Sequence, residues 1–176
     1  AIFSELLITP ILLQSTQLIT LWDMIGLKLQ DAVVKTSPFF EGLRPWSRRK
    51  VCLLGRMVEK NVGEKAVVQG EFGKSMYLLL EGKAEAVGVD AKTGKEIVFA
   101  SLHPGDIFGE IALVNPGPRS ADVRAVEPVK YLEIDWEGLK RIQKIYPRIG
   151  GQLFLNLSRI LGEKLVHTNE MLFGKA

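Results

Sequence analysis

Two opposite charges, Glu110 and Arg119, bracket a stretch that reads Phe108-Gly109-Glu110-Ile111-Ala112-Leu113-Val114-Asn115-Pro116-Gly117-Pro118-Arg119-Ser120-Ala121. The pattern predicts a strand end, a glycine turn, one turn of helix, a proline-stiffened loop and an arginine entering a new strand. Gly109 permits dihedrals that a side chain forbids and lets the backbone come close to a ligand. The amides of Glu110, Ile111 and Ala112 then fall at a helix N-terminus, where unpaired N–H groups and the helix dipole favour an anion. Arg119 adds a forked countercharge suited to phosphate oxygens. Glu110 is itself an anion, so beside a phosphate it makes sense as an acceptor for sugar hydroxyls. A hydroxyl acceptor and a phosphate clamp on one loop describe a nucleotide whose phosphate lies close to its ribose.

The stretch resembles the phosphate-binding cassette of cyclic-nucleotide-binding domains, the family of the bacterial catabolite activator protein and the regulatory subunits of protein kinase A. Its pattern is Phe-Gly-Glu-apolar-Ala-Leu, a short loop, then Arg-(Ser/Thr/Ala)-Ala. The resemblance extends to the lead-in Ser37-Pro38-Phe39-Phe40-Glu41-Gly42-Leu43, to the run from Gly70 through Tyr77 to Gly82, and to His103-Pro104-Gly105-Asp106. It implies a ligand site made of Gly109, Glu110, Ile111, Ala112, Arg119, Ser120 and Ala121. Gly109 and Ala112 would offer amides to the exocyclic phosphate oxygens, Glu110 would take the ribose 2′-hydroxyl, Arg119 would pair the phosphate and Ser120 would add a hydroxyl. By family position, Val87 and Phe99 would line the base side. Leu165-Val166-His167-Thr168-Asn169-Glu170 resembles the end of the long helix of the catabolite activator, which implies base contacts from Thr168 and Asn169. The approach to those two is about one helical turn longer here, and two solvated positions near a fraying end are the competing reading. The implied ligand is cyclic AMP (cAMP) ahead of cyclic GMP, because Ser120 matches the catabolite activator, whereas cyclic-GMP-selective relatives tend to carry Thr.

These residues need a scaffold that holds short segments at close range. Between residues 57 and 134 the texture is short apolar runs separated by turns, with glycines at 63, 70, 73, 82, 94 and 105 between or beside them. The predicted strands are 57–61, 66–69, 76–81, 84–89, 96–102, 106–108, 120–125 and 129–134. Eight short strands with close turns predict an antiparallel β-barrel or jelly roll. Helical spacing predicts helices over 18–34, from Pro45 to about Gly55, over 136–145 after a capping Asp135, and from 148 to about 173. The fold class is therefore α+β, a barrel with N-terminal helices and a long C-terminal helix. Ser47-Arg48-Arg49-Lys50 is expected on or near the surface, as such runs usually are.

The chain divides into residues 1–36, an apolar helical segment, and residues 37–176, the cyclic-nucleotide-binding domain. It has 176 residues, 47% of them hydrophobic and 24% charged, enough to bury a core and too apolar to be disordered. A formal charge of +3 gives no argument for nucleic acid. Cys52 is the single cysteine, which excludes an internal disulfide framework and fits a reducing, cytoplasmic compartment. Residues 6–22 carry no charge and have two open readings: a helix packed on the domain or on a second copy, or the tail of a membrane segment. Glu5-Leu6-Leu7-Ile8-Thr9-Pro10-Ile11-Leu12-Leu13 resembles the end of the last transmembrane helix of resistance-nodulation-division type exporters, which would put the domain on the cytoplasmic face of a membrane protein. The start at Ala1 suggests a piece of a longer chain.

Catalysis is not expected. The histidines are His103 and His167, and no pattern sets them with carboxylates as a metal triad. No cofactor or metal is called for. The reading is a regulatory domain that relays a bound cyclic nucleotide to an attached effector, either a membrane transporter or a soluble partner, with homodimerisation through the long helix open. Two alternatives stand beside it: a degenerate barrel serving as a dimerisation module, and a truncated transcription regulator. Only about seven residues follow Asn169, too few for a helix-turn-helix module, so this chain is not expected to bind nucleic acid.

Overall fold

The computed structural model describes residues 32–89 and 93–174. The segment 6–22, and most of the predicted helix 18–34, lie outside the described residues. Residues 32–36 are helical, and a 3₁₀ turn, Pro38–Phe40, leads into helix α1, Pro45–Cys52. Ten strands follow: β1 (Arg56–Lys60), β2 (Lys65–Val67), β3 (Phe72–Gly73), β4 (Ser75–Glu81), β5 (Ala84–Val89), β6 (Glu96–Leu102), β7 (Ile107–Phe108), β8 (Gly117–Pro118), β9 (Asp122–Ala125) and β10 (Val129–Asp135). Helix α2, Glu110–Val114, interrupts them, and α3 (Trp136–Ile145) and α4 (Pro147–Phe173) close the described chain.

The strands form two four-stranded antiparallel sheets, ordered β1-β10-β4-β7 and β2-β9-β5-β6, with β3 and β8 paired by themselves. This is the jelly roll expected from the turn spacing, with two strands added. The pair β3–β8 escaped detection because each partner has two residues and β8 ends in Pro118, a residue that reads as loop.

Strand β4 explains how the layers stack. Met76, Leu78 and Leu80 point to one face, with Leu132 and Ile134 of β10, and meet the helices through Val51, Leu139, Ile142, Leu153 and Leu157. Leu79 points the opposite way, into the space between the sheets, with Val67, Ala84, Phe108, Val123 and Tyr131. A strand buried on both faces reads as an unbroken apolar run, which is what Met76-Tyr77-Leu78-Leu79-Leu80 is. Leu153 and Leu157 are fully buried, each contributing about 1.5–3 kcal/mol of burial. They fix the first half of α4 against the sheet. Asn156, on the same face, donates from Nδ2 to the carbonyls of Phe39 (3.0 Å) and Glu41 (2.8 Å), tying the lead-in to α4.

Asp135 caps α3, its Oδ1 accepting from the Gly138 amide at 2.6 Å. The cationic run departs from its expected solvated face. Arg48 is buried and donates from Nη1 to the Leu43 carbonyl at 2.8 Å, and Lys50 Nζ sits 3.7 Å from the centroid of the Tyr146 ring. Only Arg49 of the three is fully exposed. In an eight-residue helix packed on a barrel, even the polar residues nearest the seam turn inward, and backbone carbonyls and aromatic faces take the charge. Among the described residues no helix is long and apolar enough to cross a membrane.

Candidate ligand-binding site

Between the two sheets the packing opens into a cavity of about 160 Å³ at the start of α2. Its floor comes from the strands, through Val67, Ala86, Leu102, Phe108 and Val123. Its rim is the cassette: Gly109, Glu110, Ile111, Ala112, Arg119, Ser120 and Ala121 all border it. The tertiary fold therefore collects the cassette residues in one place.

Gly109 precedes α2 with φ +72°, a left-handed conformation that side chains rarely adopt. A Cβ there would also lie 2.6 Å from Arg119 Nη1. The turn swings the chain out of β7 and aims α2 along the cavity, while Leu113, fully buried against the helical cluster, pins the other side.

Arg119 is 9% exposed, and its guanidinium bridges three segments. Nη1 donates to the carbonyls of Ser75 (2.7 Å) and Gly109 (3.1 Å), and Nη2 donates to Ser75 Oγ at 3.1 Å. The Tyr77 ring lies beneath it, with 5.4 Å from Cζ to the ring centroid. Tyr77 in turn stacks on Phe108 and meets Tyr131 edge-on. Every one of these partners is neutral. Among the described residues no carboxylate lies within ion-pair distance of Arg119, so a nearly buried cation stands without a countercharge. Such a charge is costly unless an anion arrives to meet it.

Glu110 is in the reverse position. It is 4% exposed, and its Oε1 accepts from Lys164 Nζ of α4 at 3.0 Å. Lys164 Nζ also reaches the Ile107 carbonyl at 3.4 Å.

Behind the cassette, Asp122 anchors β9 to β2. Its Oδ2 accepts from Lys65 Nζ at 2.6 Å and its Oδ1 from the Gln69 amide at 2.7 Å. The bond from Lys65, and then that from Gln69, hold the Asp122 carboxyl below the usual carboxylate range. A depressed folded-state pKa contributes stability that is fully present above the unfolded value, about 3.9, and is lost as pH falls through the folded value. The melting-temperature gap between wild type and Asp122→Asn should therefore be widest near neutrality and shrink below about pH 4. A gap independent of pH would refute the assignment. Burial, first of all, pushes the Tyr131 phenol up, and its hydroxyl has no hydrogen-bond partner. It stays neutral inside the roll.

Four of the residues implied by resemblance stand elsewhere. Val87 is buried but does not border the cavity, and Phe99 is 54% exposed. Alternation explains this: Ala86 and Ala100 pair across β5 and β6, and Val87 and Phe99 are their neighbours along the strands, Phe99 being an extra residue in the β5–β6 register. Ala86 and Ala100 border the cavity in their place. Thr168 is exposed and its hydroxyl donates to the Lys164 carbonyl of its own helix at 2.8 Å, while Asn169 is exposed. The α4 residue that reaches the cavity is Lys164, one turn earlier.

Ser75, Tyr77, Gly73 and Lys164 were not among the site residues that the sequence implied. A signal existed for Lys164, since Leu157, Ile160 and Lys164 recur at helical spacing and face the barrel together. Ser75 and Tyr77 share one face of a strand by alternation. For Gly73 there was none.

A two-sheet antiparallel roll that keeps an uncompensated guanidinium behind a glycine turn defines a small binding domain with an anion pocket. Residues 60–146 match the family described as cyclic nucleotide-binding domain. Among the chain's relatives is a CRP-like cAMP-activated global transcriptional regulator of Mycobacterium tuberculosis, 27% identical over 142 residues, which cover 81% of this chain and 61% of that protein. A cAMP-dependent protein kinase regulatory subunit of Emericella nidulans is 33% identical over 115 residues, covering 65% of this chain and 27% of the subunit. The crystal structure of Thermus thermophilus catabolite activator protein superposes with a TM-score of 0.67 at 29% identity, covering 78% of this chain and 64% of that one. The chain thus spans from about a quarter to three fifths of the length of these two curated relatives.

Proposed function

We propose that this domain binds a cyclic nucleotide, cyclic AMP in preference to cyclic GMP, and relays its presence to an attached or associated effector. The observation that carries this reading is Arg119, a nearly buried cation at the cavity rim whose partners are all neutral. A phosphodiester supplies the missing charge. Gly109, Glu110, Ile111, Ala112, Ser120 and Ala121 surround the place where it would bind. The relatives support the ligand class, being named as cAMP-activated and cAMP-dependent regulators.

In the binding step the amides of the α2 N-terminus and the Arg119 guanidinium would share the phosphate, and Glu110 would accept from the ribose hydroxyl. Binding and signalling require no covalent chemistry. A ligand favours whichever arrangement of cassette and α4 it contacts best, so the output is a shift between populations.

The preference for cyclic AMP rests on Ser120, an exposed residue at the rim. Its hydroxyl can still bond a guanine amino group, so discrimination should be modest. In a competition titration cyclic AMP is expected to win by less than about a hundredfold, two hydrogen bonds' worth. Cyclic GMP winning by tenfold or more would overturn the preference. A rise in melting temperature with cyclic AMP tests the function itself, because a ligand that binds only the folded state must stabilise it.

A further inference from the structure

The charged residues that border the cavity are Glu110, Arg119 and Lys164. Resting on the nucleotide-binding reading above, we infer that Lys164 is a positioning residue that readies Glu110 to accept a ribose hydroxyl.

The electrostatic difficulty of the site is Glu110. The Glu110 side chain is 5% exposed, and it borders the same cavity that is to receive an anion. A nearly buried carboxylate with no cation nearby is costly, and a phosphodiester bound beside it would repel it further. Lys164 removes this difficulty. Its ammonium meets Oε1 at 3.0 Å and is anchored from behind by the Ile107 carbonyl at 3.4 Å.

The contact also leaves Glu110 able to work. Lys164 occupies Oε1 only, and among the described residues Oε2 has no partner, so one carboxylate oxygen is open to a hydroxyl donor. A carboxylate can accept several hydrogen bonds at once, and an ammonium on one oxygen fixes the direction of the other. Lys164 belongs to α4 and Glu110 to α2, so the same contact spans the two elements that have to close on a ligand. The Lys164 side chain is 49% exposed, which lets it adjust as the ligand enters and makes its replacement harmless to the core.

The test uses cyclic AMP and 2′-deoxy cyclic AMP with wild-type protein, Lys164→Met, Lys164→Arg and Glu110→Gln. Lys164→Met keeps the aliphatic stem and removes the charge. It is expected to weaken cyclic AMP about tenfold, the size of one charge-assisted hydrogen bond discounted for half exposure. It should weaken the 2′-deoxy analogue by less than threefold, and its melting temperature without ligand should fall, because Glu110 loses its cation, while the protein stays folded. Lys164→Arg should restore cyclic AMP binding, and Lys164→Met should have little added effect in the Glu110→Gln background. Unchanged or tighter cyclic AMP binding by Lys164→Met would overturn the inference and make Lys164 a competitor that the ribose displaces. Equal weakening of both nucleotides would overturn it too, since Lys164 would then act on the phosphate and not through Glu110. Absence of cyclic AMP binding by the wild-type protein would instead overturn the functional reading, and with it this inference.

Discussion

Replacing Arg119 with alanine is expected to weaken cyclic AMP binding by roughly 30- to 5000-fold, the effect of removing one partner of a desolvated, hydrogen-bonded charge pair worth about 2–5 kcal/mol. The protein should remain folded. Arg119 contributes nothing to the apolar clusters, and the hydrogen bonds it makes are to neutral oxygens of Ser75, Tyr77 and Gly109. Its burial without a countercharge is a burden on the unliganded state, so the apo melting temperature of Arg119→Ala should be close to that of wild type. A purely structural arginine would behave in the opposite way, with a lowered melting temperature and unchanged affinity. Isothermal titration together with a thermal melt of the same sample separates the two, and wild-type affinity in the variant would refute the cassette assignment.

Gly73→Ala is expected to reach a comparable loss without touching a ligand contact. A Cβ at Gly73 would stand 2.2 Å from Arg119 Nε and 2.4 Å from Cζ, closer than any real contact of that kind. The guanidinium lies flat over this glycine, at the point where β3 pairs with β8 through Gly73 and Gly117. The alanine methyl must therefore drive Arg119 away from the carbonyls of Ser75 and Gly109, and with it the phosphate clamp. Since a misplacement of about 1 Å in a binding constellation can cost a hundredfold, binding should fall by at least tenfold. The backbone of Gly73 has ordinary negative φ, so the fold itself tolerates the change. Affinity within threefold of wild type would show that Arg119 acts from some other position.

Under the proposed function, ligand would signal through whatever the cassette and the long helix touch. Leu153, Leu157 and Asn156 hold the first half of α4 firmly to the sheet and to the lead-in turn. Beyond Ile160, α4 is mostly exposed, and Lys164 is its contact with the cassette. Among the described residues the helix is therefore fixed at one end and held further along through Lys164, which meets Glu110 and the Ile107 carbonyl. A mechanism in which ligand reorders that distal part needs no change in the barrel.

The local chemistry of the site was legible in the residues themselves. A glycine before Glu110-Ile111-Ala112 dictates a turn and a helix N-terminus, and a forked cation after a proline-stiffened loop dictates an anion. These are short-range relations between neighbours in the chain, and the strand periods of β4, β5 and β6 are of the same kind. What only the tertiary structure decided is which side chains from distant segments share the site. Ala86 and Ala100, paired across β5 and β6, border the cavity in place of Val87 and Phe99, because neighbours in a strand present opposite faces and the packing of the sheets decides which face is the inner one. The turn count of α4 brings Lys164, and not Thr168, to Glu110. Gly73 matters because a guanidinium from the segment between β8 and β9, far along the chain, lies over it, and Arg48 is buried because a barrel packs against its helix. Each of these depends on distances between elements, which no local pattern of residues encodes.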